Sequence, residues 1–93
     1  MAMRAGRHAE AVRWLQMAAD QGDAESQMNL GVAMASGMVG PVDKVAVYMW
    51  FTLAARQNAP RAAEARDRIA RSMSRAEIAQ GERQAQMWRP TGQ

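Results

Sequence analysis

Few residues in this chain are of a type and spacing that does chemistry. Histidine occurs once, as His8, and cysteine not at all, so thiol nucleophiles, disulfides and cysteine metal sites are excluded together. Glu10 stands two residues from His8, too close to be its neighbour on a helix face, and a metal site or general base needs two or more converging groups. His8 is therefore read as an exposed helix residue. The carboxylate pairs Asp23 with Glu25 and Glu64 with Asp67 fall where helices begin, and the helix dipole favours negative charge there without any catalytic role. No Gly-x-Ser-x-Gly elbow, His-Glu-x-x-His run or lysine-bearing phosphate loop occurs, and Gly37 to Gly40 before Pro41 reads as a turn. The residues call for no enzyme activity, cofactor or metal.

Arginine and methionine carry what binding signal there is. The net charge is +3, and every basic residue but Lys44 is Arg. Arg56, Arg61, Arg66, Arg68, Arg71 and Arg75 concentrate around one segment, with Arg61, Arg68, Arg71 and Arg75 broadly on one helix side. Such a run is usually a solvated face; an acidic partner or nucleic acid is the alternative, although the interleaved aromatics of a single-strand binder are missing. Of the nine methionines, Met17, Met34, Met49 and Met73 occupy stripe positions and are assigned to the core. Met28 differs. At 100° per residue, Glu25, Met28, Val32 and Ser36 gather opposite Gln27, Leu30, Gly31 and Met34, which makes them a candidate contact patch unless later helices cover that face.

The elements that position these residues are helices. Apolar residues make up 48% of the chain with few aromatics, and Ala, Met, Gln, Glu and Arg all favour helix, so the fold class is all-α. Shifting the chain by 36 residues aligns Trp14 with Trp50, Ala18 with Ala54, Ala19 with Ala55 and Gln21 with Gln57, while Gly22 falls opposite Asn58. Gly and Asn are the types that most readily take the left-handed conformation ending a helix. Helices are expected from about Arg7 to Gln21, Ala24 to Ser36 and Lys44 to Gln57, with Asp23 and Asp43 as N-caps. A fourth begins near Pro60, placed at its first helical position, with Ala62, Ala65, Ile69 and Met73 on its buried face. Ser74-Arg75-Ala76-Glu77 has the form of a capping box opening a fifth, and Arg89 to Gln93 is expected to fray. The third helix has almost no polar face and should be the centre of the core, with Trp50 in it; Gly31 should mark a close helix crossing.

The run Ala24-Glu25-Ser26-Gln27-Met28-Asn29-Leu30-Gly31, then Ser36-Gly37, Pro41-x-Asp43 and Tyr48-x-Trp50-Phe51-x-x-Ala54-Ala55, resembles the Sel-one-like repeat, a relative of the tetratricopeptide repeat. Ala9 to Trp14 with Ala18 to Ala24 looks like the second helix of a preceding unit, so the resemblance covers roughly residues 8 to 60. Met28 and Met34 stand where the family usually has aromatics, Val39-Gly40 inverts its Gly-Val, and Val47 replaces an Ala. The resemblance implies an α/α superhelix, here of about five antiparallel helices, and a scaffolding role with no catalysis.

On this reading the chain is one domain over 1–93, with residues 7–23 the second helix of a partial repeat, 24–59 one full repeat and 60–93 the closing helices and tail. Its expected function is protein binding through a helical groove or an exposed repeat end, with Glu25, Met28, Val32 and Ser36 as contacts. Val12, Trp14 and Leu15 on the uncovered first helix are candidates for self-association as a dimer. The longest apolar stretch, Val45 to Ala55, is too short to span a membrane and no secretory signal is visible, so the cytoplasm is expected, with the periplasm open to a longer precursor.

Overall fold

The computed structural model describes the backbone of residues 2–91 and the side chains of residues 9–91. Five helices follow one another: α1 (Ala2–Asp20), α2 (Ala24–Ala35), α3 (Lys44–Arg56), α4 (Ala62–Ala70) and α5 (Arg75–Met87). The described residues contain no strand, and the fold is all-α. α1 starts at Ala2 rather than near Arg7, because the Met and Ala residues before it are good helix formers. His8 lies within it, its side chain outside the described residues.

The 36-residue repeat reappears in the backbone hydrogen bonds. Beyond α1, Gly22 has φ +102°; its N–H donates to the Ala19 carbonyl at 3.0 Å and that of Asp23 to Ala18 at 3.1 Å. Beyond α3, Asn58 has φ +63°; its N–H donates to Ala55 at 2.9 Å and that of Ala59 to Ala54 at 3.0 Å. Every donor and acceptor maps onto its counterpart by the same shift, so both helices close with the same pair of C-terminal bonds. Gln57 ties the two ends together, its amide donating to the Gly22 carbonyl at 2.9 Å and to the Gln27 side-chain oxygen at 3.0 Å. Gln27 is fully buried and donates in turn to the Ala19 carbonyl at 3.2 Å, which removes the penalty of an unpaired amide in the core.

The starts of α2, α3 and α5 are capped as the sequence predicts. Asp43 accepts from the Ala46 N–H at 3.1 Å, and Ser74 and Glu77 exchange both bonds of a capping box. Asp23 accepts from the Ser26 N–H at 2.9 Å and from the Ser26 hydroxyl at 2.5 Å. The hydroxyl bond, then the backbone bond, hold its carboxyl below the ordinary carboxylate range. A carboxylate favoured in the folded state adds stability that is complete above about pH 4 and is lost as pH falls through its lower folded-state value. Asp23→Ala should cost about 1 kcal/mol in denaturant titrations at neutral pH. Asp23→Asn should keep the cap at neutral pH and differ from wild type by a shallower loss of stability below about pH 4, on the order of one titrating group.

α3 packs against α2, α4 and α5, and α1 against α2. Trp50, 5% exposed, sits in a cluster with Ala19, Leu30, Leu53 and Ala85, onto which Val12, Leu15, Met34, Met49 and Trp88 close. Two glycines let helices approach α3. A Cβ on Gly31 of α2 would lie 2.5 Å from Cε1 of Phe51, and one on Gly81 of α5 2.7 Å from Cδ1 of Tyr48. Beside Gly81 the Tyr48 hydroxyl donates to Glu82 at 3.0 Å; burial, then this bond, raises its pKa and keeps it a donor.

Three expectations are corrected. Pro60 does not open α4: Asn58 and Arg61 are both left-handed, the chain reverses between them, and the helix starts at Ala62 with Arg61 as an N-cap lacking a side-chain bond. Met17 is not core. α1 packs through the side bearing Val12, Leu15 and Ala19, leaving Trp14 (69%) and Met17 (53%) on the opposite, exposed side. Finally, Arg89 to Thr91 are not frayed. Trp88 meets Trp50 edge-on with ring centres 6.3 Å apart, and the Thr91 N–H donates to the Asp20 carbonyl at 2.7 Å, which lays the tail across the end of α1. Residues 92–93 lie outside the described residues.

Candidate interaction groove

Beyond Asn58, the left-handed turn at Arg61 sets α4 against α3 at a distance from α2, and a groove of about 690 Å³ stays open between α2 and α4. Met28, Val32 and Ala35 of α2 form one wall, one helical turn apart. Ala65 and Arg68 of α4, with Arg61 and Ser72 just beyond its two ends and Glu64 beside them, line the other. Phe51 of α3 and Ile69 of α4 make the floor. The groove therefore has an aliphatic side, an aromatic floor and a basic side.

Of the candidate patch on α2, Met28 and Val32 line this groove, whereas Glu25 and Ser36 are exposed outside its lining. Ser36 spends its hydroxyl on the Ala33 carbonyl at 2.7 Å. α4 does not seal the α2 face, and Val32 remains 49% exposed. Of the arginines, Arg61 and Arg68 belong to the groove, and Arg71 and Arg75 are exposed outside its lining. Among the described residues the only ion pair is Arg66 with Asp67 at 3.2 Å, so neither groove arginine is neutralised by a carboxylate of this kind. On α1, Val12 and Leu15 are half-buried against the core cluster; only Trp14 of the self-association candidates faces outward, with Met17 beside it.

The two lists drawn separately from the sequence, an apolar stripe and a basic face, thus share one cleft. Phe51 reads as core because its helix is apolar on almost every face, and Ala65 and Ile69 by their stripe on the fourth helix; nothing local in the sequence marks them as floor and wall. The signal is the paired left-handed positions around Pro60, where only Asn58 is of a type that announces one.

No protein-family model, curated protein or solved structure matches the chain. Among those described, no group of three or more His, Cys, Asp or Glu residues is placed to hold a metal ion, and no helix is long and apolar enough to cross a membrane.

Proposed function

We propose that this chain is a non-enzymatic protein-interaction module of the Sel-one-like repeat type, a short stretch of α/α superhelix that holds a partner in the groove between α2 and α4. The observation that carries the reading is the half-exposed aliphatic row Met28 and Val32 standing open over Phe51, apolar surface that a lone chain gains by covering. The duplicated helix ends and the glycine crossing at Gly31 support the repeat assignment. A photo-crosslinking amino acid at Val32, in the native organism, should trap one defined protein, and Met28→Asp should abolish the adduct. Equal trapping from Gln84 on the exposed side of α5 would remove the groove as the interface.

A second reading, a nucleic-acid or acidic surface bound by α4, is favoured by the exposure of Arg61, Arg68, Arg71 and Arg75. It requires affinity for an oligonucleotide to fall steeply with salt, with a slope near −1 per phosphate contact.

The uncovered side of α1 is proposed as a self-association surface. Trp14 and Met17 are the repeat counterparts of Trp50 and Leu53, which are only 5% and 6% exposed. Large apolar residues at matching repeat positions are thus buried in α3 and bare in α1. Two copies meeting through α1 would cover them, and sedimentation of the wild type should show concentration-dependent dimers that Trp14→Glu weakens by at least about tenfold. A wild type that stays monomeric at high micromolar concentration refutes the dimer.

A further inference from the structure

We infer that the groove is selective for an acidic amphipathic segment of a protein, one whose apolar side chains lie against α2 and whose carboxylates lie against α4. This rests on the interaction reading above and adds the chemistry of the partner. The two walls differ in kind. The α2 wall presents Met28 and Val32 and no charge, whereas the α4 wall presents Arg61 and Arg68 separated by Ala65. Ala65 and Arg68 lie one turn apart on α4 and Arg61 stands at its N-cap, so the two arginines flank a small residue that lets a backbone come close.

The charge on that wall is not consumed internally. Neither arginine has a carboxylate within 4.0 Å among the described residues, although Glu64 lines the same groove. An arginine fork matches a carboxylate in planar, two-point geometry, and desolvation by a ligand in the groove strengthens such a pair. Met28, Val32 and Ile69 offer aliphatic contact, and Phe51 is only 4% exposed, so the groove gives a nucleic-acid base no open ring to stack on. The aliphatic wall decides between the two polyanions the arginines would attract: a peptide with both apolar and acidic side chains meets both Met28 and Val32 and the arginines, whereas a nucleic-acid backbone meets the arginines alone.

The test uses a random displayed-peptide library selected on the immobilised full chain, followed by affinity measurement of the enriched peptides. They should combine Leu, Ile, Met or Phe with Asp or Glu. Their affinity should drop by about tenfold or more in Arg61→Glu with Arg68→Glu, drop also in Val32→Asp, and hold in Arg83→Glu on the exposed side of α5. Selection on the doubly reversed protein should enrich Lys and Arg instead. Melting curves keep unfolded variants out of the comparison. Neutral or basic peptides that lose affinity with Val32→Asp overturn the acidic selectivity and leave the groove as an interface. An enriched pool indifferent to every groove variant, or no enrichment at all, overturns both. A single-stranded oligonucleotide that displaces the peptides and binds Val32→Asp undiminished overturns the inference in favour of nucleic acid.

Discussion

Trp50→Ala is expected to cost about 3 to 5 kcal/mol and to leave a large unfolded fraction at room temperature. A domain of this size has a total stability on the order of 5 to 15 kcal/mol, and a short chain sits toward the lower end because it buries proportionately less surface. The loss is large because Trp50 is shared. Its ring shares one buried cluster with Ala19 of α1, Leu30 of α2 and Ala85 of α5, with Trp88 edge-on at 6.3 Å, so a cavity there would loosen four elements at once. Urea denaturation measures it, and a loss below about 1 kcal/mol would mean that Trp50 is peripheral. Trp88→Ala should be milder, about 2 kcal/mol, since that ring is only half-buried and sits after the last helix. The two losses should not add: the double variant should lack an aromatic pairing of about 1 kcal/mol.

The helices were legible because their determinants are local. Asp23, Asp43 and Ser74 cap helices within three residues of themselves, and Gly22 and Asn58 end helices by their own backbone preference. Burial of α3 was legible for a related reason, since a helix apolar on every side must be covered on every side. Elements that depend on meeting a distant partner were not. Met17 has the same local pattern as Met34 and Met49, and what sets it apart is that α1 has a packed neighbour on one side only. The tail at Arg89 to Thr91 reads as polar and frayed, yet Trp88 anchors it and Asp20, far away in sequence, accepts its hydrogen bond.

The groove lies between these cases. Met28 and Val32 were found from helix periodicity, and Arg61 and Arg68 from the clustering of arginine, each set from its own segment. That they face one another follows from the turn over Ala59 to Arg61, where Arg61 takes a left-handed conformation that costs a non-glycine residue about 1 to 2 kcal/mol. Packing of α4 on α3 must offset that cost, and no sequence pattern here reports it.

Gly31→Leu should be the most damaging change on α2, at about 3 kcal/mol or somewhat more. Leu is the better helix former by about 1 kcal/mol, so the sign depends on whether the crossing can open. A Cβ at Gly31 would stand 2.5 Å from Cε1, 2.8 Å from Cδ1 and 3.3 Å from Cζ of Phe51, a ring that is almost fully buried. That ring also lines the groove between α2 and α4. A small addition, Gly31→Ala, should therefore push the ring upward and cost only about 1 kcal/mol, while Leu, needing far more room, forces the helices apart. In a Phe51→Ala background the same Leu should be tolerated, because it enters the space the ring vacates, and the coupling in that cycle should reach about 2 kcal/mol. Gly81 is a control with the opposite geometry. There a Cβ meets Tyr48 at Cδ1, Cγ and Cβ, the stem of a side chain whose hydroxyl is held by Glu82 and which does not line the groove. With no direction to yield, Gly81→Ala should lower the melting temperature more than Gly31→Ala, and the reverse order would show that α2, not α5, makes the tighter contact with α3.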